Sequence, residues 1–123
     1  MDDRKQALRV QVTQYEHCTV LEIGGALDFL TAPIFADHID TVWDLSEGPC
    51  LVLELSQLTF YDSTALAALI YLLHRIQAAP AGRLLLVSVP RNLEHLMRRT
   101  GLLAYFELRD SIERAVADLL PPE

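Results

Sequence analysis

The sequence predicts an α/β fold: a small mixed, mainly parallel sheet with helices packed against it, in the order β-β-α-β-α-β-α-β-α. Three observations lead there. Cys50–Leu55 and Arg83–Val89 are almost continuously apolar, as strands covered on both faces are. Apolar residues recur at helical spacing in the segments that follow such runs. Strands that alternate with helices imply crossover connections and parallel pairing.

Each element has a local reason. Leu8–Val12 alternates apolar and polar residues, which suits a half-buried strand, and Thr19–Ile23 reads as its antiparallel neighbour across a turn at Tyr15–His17. Gly24-Gly25 then breaks the pattern as a backbone turn. Asp28–Pro33 leads into a helix that Thr31 can cap, with Pro33 tolerated in its first turn. Ile34, Phe35, Ile39 and Val42 share one face of it, and a turn over residues 46–49 closes it. The strand Cys50–Leu55 follows, then a helix over about 64–77 with Leu66, Leu69, Ile70, Leu73 and Ile76 on its apolar face. After the strand 83–89, stopped by Pro90, Asn92 caps a short helix bearing Leu93, Leu96 and Met97, with Gly101 near its end. Tyr105–Leu108 reads as a last strand. Asp110–Glu113 resembles a capping box, with Asp110 in the capping role, before a final helix carrying Ile112, Val116, Leu119 and Leu120.

The chain of 123 residues fits one domain over 1–123, with a core from about 8 to 120. Hydrophobic content of 51% beside 22% charged residues is that of a globular protein, not a disordered one. A net charge of −7, read as spread along the chain, disfavours nucleic acid and anionic membrane surfaces. No apolar run approaches the roughly 20 residues that span a bilayer, and the polar start lacks the apolar core of a signal peptide. Cys18 and Cys50, without a CxxC spacing, read as small buried hydrophobes in a reduced, cytoplasmic setting. Arg75, Arg83, Arg91, Arg98 and Arg99 read as a solvated face, with a spot that meets an acidic partner or a phosphate as the functional alternative.

The catalytic chemistries find little support. Ser63 is not in a Gly-x-Ser-x-Gly elbow, and His74, on the same helix, lies roughly 16 Å along the axis, too far to act as its base. His17, His38 and His95 follow no triad or metal-ligand spacing, and no phosphate-binding glycine loop is present. The expectation is a protein that is not an enzyme and holds no cofactor or metal. What stands out is Asp62-Ser63-Thr64, where a strand gives way to a helix. Asp and Ser are ordinary capping residues, yet a hydroxyl at a helix start is also placed where free N–H groups favour an anion.

The stretch Leu53-Glu-Leu-Ser-Gln-Leu-Thr-Phe-Tyr-Asp-Ser-Thr-Ala-Leu66 resembles the signature of STAS domains, the bacterial anti-sigma factor antagonists. Gly25-Ala-Leu-Asp28 with Thr31-Ala-Pro33, the run Leu84–Pro90, and Thr100-Gly-Leu102 with Phe106 resemble further parts of that family. The resemblance covers residues 8 to 120. It implies that the unmodified domain binds an anti-sigma factor that is also a serine kinase, so that a sigma factor is released. It implies phosphorylation at Ser63, with Thr64 as the alternate site, and resetting by a serine phosphatase. Asp28, Asp62, Ser63, Thr64 and Ala65 are then the partner-binding residues, in a monomer or weak dimer. Where the family's usual glycine stands, this chain has Ala65, whose methyl group lies where the kinase would approach; Glu54 and Ala26 also depart from the usual Asp and Glu. The alternative is a STAS subunit that binds an ABC-transporter ATPase or a stressosome-like scaffold without phospho-switching.

Overall fold

In a computed structural model, residues 7–44 and 49–121 are described. Five strands form one sheet in the order β1-β2-β3-β4-β5. They are β1 (Arg9–Gln14), β2 (Thr19–Leu27), β3 (Cys50–Tyr61), β4 (Arg83–Val87) and β5 (Glu107–Arg109). β1 pairs antiparallel with β2, and the other three pairings are parallel. The helices are α1 (Ala32–Asp44), α2 (Ser63–Ala78), α3 (Arg91–Arg99) and α4 (Ile112–Asp118), with a 3₁₀ turn at Leu103–Tyr105. Element order and mixed, mainly parallel pairing match the sequence expectation.

The strand alternation sends side chains to two separate cores. Leu21, Ile23, Leu51, Leu53, Leu84 and Leu86 face α1, α2 and α3, meeting Phe35, Ile39, Leu69, Leu72, Leu93 and Met97. Val20, Val52, Leu85 and Val87 point the other way, onto Ala115 and Leu119 of α4. His17 joins that second layer, its Nε2 sitting 3.0 Å from the Val116 carbonyl.

Several boundaries differ from the sequence expectation, each for a physical reason. β2 does not stop at Gly24-Gly25 but runs to Leu27, and the glycines are not a turn. Gly25 has φ +80°, and a Cβ there would lie 1.8 Å from the Ala7 carbonyl oxygen; one on Gly24 would meet the Arg9 guanidinium at 2.6 Å. The pair therefore admits close approach of the segment before β1. β3 continues six residues past Leu55, to Tyr61. Its pairing with β2 slips between Glu22 and Gly24 and again between Gly25 and Ala26, so two irregularities bend this strand as it nears its end. The exposed pair Ser56-Gln57 mimics a strand end in sequence, whereas here it belongs to the first irregularity. β4 stops at Val87, because Ser88 takes φ +57°.

At helix starts, Pro90, not Asn92, occupies the cap of α3, its carbonyl accepting from Glu94 N at 2.9 Å. Ser111, not Asp110, caps α4, accepting from Arg114 N at 3.1 Å. Gly101 adopts φ +78° just beyond α3, as expected of a helix terminus. Tyr105 belongs to the 3₁₀ turn, leaving β5 only three residues. Ile34 and Leu120 are exposed at 47% and 57%, while Ala65 and Leu72 join the buried face of α2. Of the turn expected at 46–49, residues 46–48 lie outside the described residues.

Candidate functional site

The site lies at the C-terminal ends of β2 and β3. Leu27 pairs with Tyr61, so the next residues, Asp28 and Asp62, leave the sheet side by side into adjoining loops. Each carboxylate organises its own loop. Asp62 has extended backbone (φ −132°, ψ −164°) and caps α2, its Oδ1 accepting from Thr64 N at 2.8 Å. The Asp62 carbonyl accepts from Ala65 N at 3.0 Å. Asp28 Oδ1 accepts from Leu30 N at 3.0 Å and Thr31 N at 3.1 Å, closing a tight turn. Thr31 stands at the start of α1, but its hydroxyl turns backward. It donates to the Ala26 carbonyl at 2.8 Å and accepts from Asp28 N at 3.0 Å. That hydroxyl locks the Asp28 turn to the end of β2 and does not cap α1.

Ser63 is the first residue of α2, and the cap is Asp62. The serine is exposed, and its hydroxyl makes no hydrogen bond among the described residues. Thr64 is half-buried. Ala65 is fully buried at 0% exposure, so its methyl belongs to the core and not to a surface that a kinase could touch. The expectation that Ala65 meets a partner is corrected on that ground: at the third helical position the side chain turns inward onto the sheet. Asp28, Asp62, Ser63 and Thr64 do come together.

The Asp28 turn has a second consequence, which sequence reasoning missed. By holding the Leu30 and Thr31 amides inward it turns Phe29 and Leu30 outward, 77% and 78% exposed. Phe60, one residue before the end of β3, is 44% exposed. Large apolar side chains thus stand exposed in the Asp28 turn and near the end of β3. The available signal was an apolar pair inside a loop, at positions neither helical nor strand periodicity needs.

None of the ten Lys and Arg residues lies between Arg9 and Arg75, so the acidity is not spread evenly along the chain. Arg75 is about 18 Å down α2 from Ser63. It pairs with Asp40 and stacks over Trp43, 4.2 Å from the ring centre. Arg83 is likewise engaged, by Glu107 at 2.6 Å, and Arg98 by Glu94 at 2.8 Å. The Arg83–Glu107 hydrogen bond holds the Glu107 carboxyl below the usual glutamate range and raises Arg83 above its own. Among the described residues no three His, Cys, Asp or Glu side chains converge as metal ligands.

Residues 9–115 match the family model of the STAS domain. The chain belongs to the STAS domain family. No curated protein sequence matches it. Among solved structures, this STAS chain is similar to an anti-sigma factor antagonist from Mycobacterium paratuberculosis, at 22% identity and TM-score 0.76, over 93% of this chain and 95% of that one. It is similar to the phosphorylated form of the Bacillus cell fate determinant SpoIIAA, at 17% identity and TM-score 0.71, over 93% of this chain and all of that one. It also resembles part of the murine anion transporter Slc26a9, at 15% identity and TM-score 0.71, covering 94% of this chain but 23% of that chain. At these identities the likeness establishes the fold. No helix among the described residues is long and apolar enough to cross a membrane.

Proposed function

We propose that this STAS domain is an anti-sigma factor antagonist whose unphosphorylated form binds an anti-sigma factor serine kinase and releases a sigma factor, and that phosphorylation of Ser63 turns binding off. The observation that carries this is the exposed Ser63 hydroxyl, free of hydrogen bonds among the described residues, at the first position of α2 between two carboxylate-built loops. A residue needed only for capping would have its oxygen on a helix amide, and here Asp62 already fills that role. The serine serves no structural end and is presented outward.

The same geometry supports a switch. A phosphoserine brings a charge of about −1.5 to −2. The positive end of α2 is already partly neutralised by Asp62, and no Lys or Arg of residues 10–74 offsets the new charge. The phosphate therefore adds to a negative surface without reorganising the fold. Apposed to the cationic surface that an acidic site selects, the dephospho form gains complementarity. Phe29 and Leu30 supply the apolar contact area that anchors interfaces. A modified serine under that contact brings a desolvation cost, and a loss of about 3 kcal/mol would weaken binding roughly a hundredfold. This reading is of a binding protein in the cytoplasm, with a phosphatase as its transient second partner.

One observation favours a second reading. Between α1 and α2, beside Thr64, runs an apolar groove of about 250 Å³ lined by Ala32, Phe35, Ala36, Ala67, Ala68 and Tyr71. Such a groove suits constitutive docking onto a transporter ATPase or a stressosome-like scaffold. The experiment that separates the two is titration calorimetry of the wild type, Ser63→Ala and Ser63→Glu against the anti-sigma kinase of the same cell, with phosphopeptide mapping after ATP is added. The expected result is phosphate on Ser63, wild-type affinity for Ser63→Ala, and at least tenfold weaker binding for Ser63→Glu. Equal affinities would refute the charge switch; phosphate on Thr64 alone would move its site; no binding would favour the scaffold reading.

A further inference from the structure

At the opposite end of the sheet, Cys18 and Cys50, 32 residues apart in sequence, are brought side by side. Thr19 pairs with Leu51 in the parallel β2–β3 ladder, and the cysteines are the residues immediately before that pair. Both face α4: Cys18 and Cys50 pack in the same apolar cluster as Val20, Val52 and Leu119. Adjacent strands lie about 4.8 Å apart, inside the 4.4–6.8 Å Cα separation that a disulfide accepts. Both thiols are free.

The two differ in environment. Cys18 is 6% exposed, and burial, with the neighbouring Cys50, pushes its thiol above the usual cysteine range. Cys50 is half-buried at the rim, its Sγ 3.9 Å from the Ala81 carbonyl, and it pairs across the sheet with Arg83. Around that rim Glu107 accepts from the Arg83 guanidinium and the Asp118 main-chain carbonyl accepts from it at 3.3 Å, while the Asp118 carboxylate accepts from Arg109 at 2.6 Å. An accessible thiol beside a guanidinium, with a buried second thiol behind it, is the arrangement of an attacking and a resolving cysteine.

We propose that Cys18 and Cys50 form a peroxide-responsive dithiol site that closes reversibly to an intramolecular disulfide. The Cys50 sulfur attacks a peroxide oxygen; the O–O bond breaks, hydroxide leaves and takes the thiol proton as water, and Cys50 becomes a sulfenic acid. The Cys18 sulfur then attacks Cys50 Sγ; the S–O bond breaks and the hydroxide leaves as water with the Cys18 proton. The two thiols are oxidised by two electrons, hydrogen peroxide is reduced to two waters, and a cellular dithiol reductant reverses the step. The bond would close a loop holding α1 and the Asp28 turn and fasten it to the strand that leads to Ser63.

The test is oxidation of the folded, reduced protein with hydrogen peroxide, followed by alkylation before unfolding and digestion without reductant. Cleavage must be at acidic residues, because no Lys or Arg separates the two cysteines. Both thiols should disappear together, with a linked Cys18–Cys50 peptide in monomeric protein that dithiothreitol reopens. In Cys18→Ser, Cys50 should be trapped as a sulfenic acid by dimedone; in Cys50→Ser, Cys18 should react with peroxide at least tenfold more slowly. Over-oxidation of Cys50 in the wild type with Cys18 still a thiol, or only intermolecular disulfides, would overturn the proposal. The wild-type measurement stands alone if either variant fails to fold.

Discussion

The loop between β3 and α2 asks one carboxylate, Asp62, to do two things: cap a helix and set the charge beside Ser63. Substitution separates them. Asp62 Oδ1 receives the Thr64 amide at 2.8 Å with the extended backbone of a capping residue. Asp62→Ala leaves that amide without its acceptor, and caps of this kind contribute about 1 kcal/mol, with a range of about 0.5–2. Asp62→Asn keeps an oxygen acceptor and removes only the charge, which near a helix N-terminus is worth about 0.3–1 kcal/mol at low salt. Asp62→Ala should therefore lose about 1–2 kcal/mol and Asp62→Asn less than half as much. Adding about 0.5 M salt should shrink the Asn deficit, since the charge is screened, and leave most of the Ala deficit. The assay is urea unfolding followed by far-ultraviolet circular dichroism, with unchanged m-values as the check that only stability moved. If Asp62→Asn is as damaging as Asp62→Ala, the charge and not the hydrogen bond supports α2. If Asp62→Ala is indistinguishable from the wild type, the capping argument fails, and with it the inference that Ser63 is spared for another purpose.

Two further outcomes are expected. Gly25→Ala should destabilise by about 2 kcal/mol or more, because it combines positive-φ strain with a Cβ 1.8 Å from the Ala7 carbonyl oxygen; a calorimetric midpoint within a degree of the wild type would contradict this. Glu107 has its carboxyl lowered by Arg83, so the pair stabilises above the ordinary glutamate range and that contribution disappears as pH falls through the lowered value. Because both side chains are about two-fifths exposed, the loss is only a few tenths of a kcal/mol, and Glu107→Gln should remove that part of the acid-side slope in unfolding curves between about pH 5 and 2; an unchanged slope would show the pair to be inert.

Much of this was legible in the chain because it is written in periodicity. The apolar runs at 50–55 and 83–87 read as covered strands, and the stripe Leu69, Leu73, Ile76 reads as a helix face turned to the core, where the structure buries it. Order of elements and parallel pairing follow from these, and Asp62-Ser63 at a strand-to-helix junction becomes a candidate site once the surrounding stretch is seen to resemble the STAS signature. Other features depend on what lies opposite, which no local pattern reports. Gly24-Gly25 reads as a turn until Ala7 and Arg9 are seen against it. Ser56-Gln57 reads as a strand end until β2 supplies the partner that carries β3 onward. That the Asp62 carboxylate caps α2 and leaves the Ser63 hydroxyl free was settled by the backbone and hydrogen bond at Asp62, and Ala65 was removed from the surface by the direction of its Cβ bond. Cys18 and Cys50 looked unrelated because 32 residues part them; the register of two parallel strands makes them neighbours. Local sequence sets what each segment prefers, and the packed sheet decides which segments meet, because pairing register is a property of two strands and never of one.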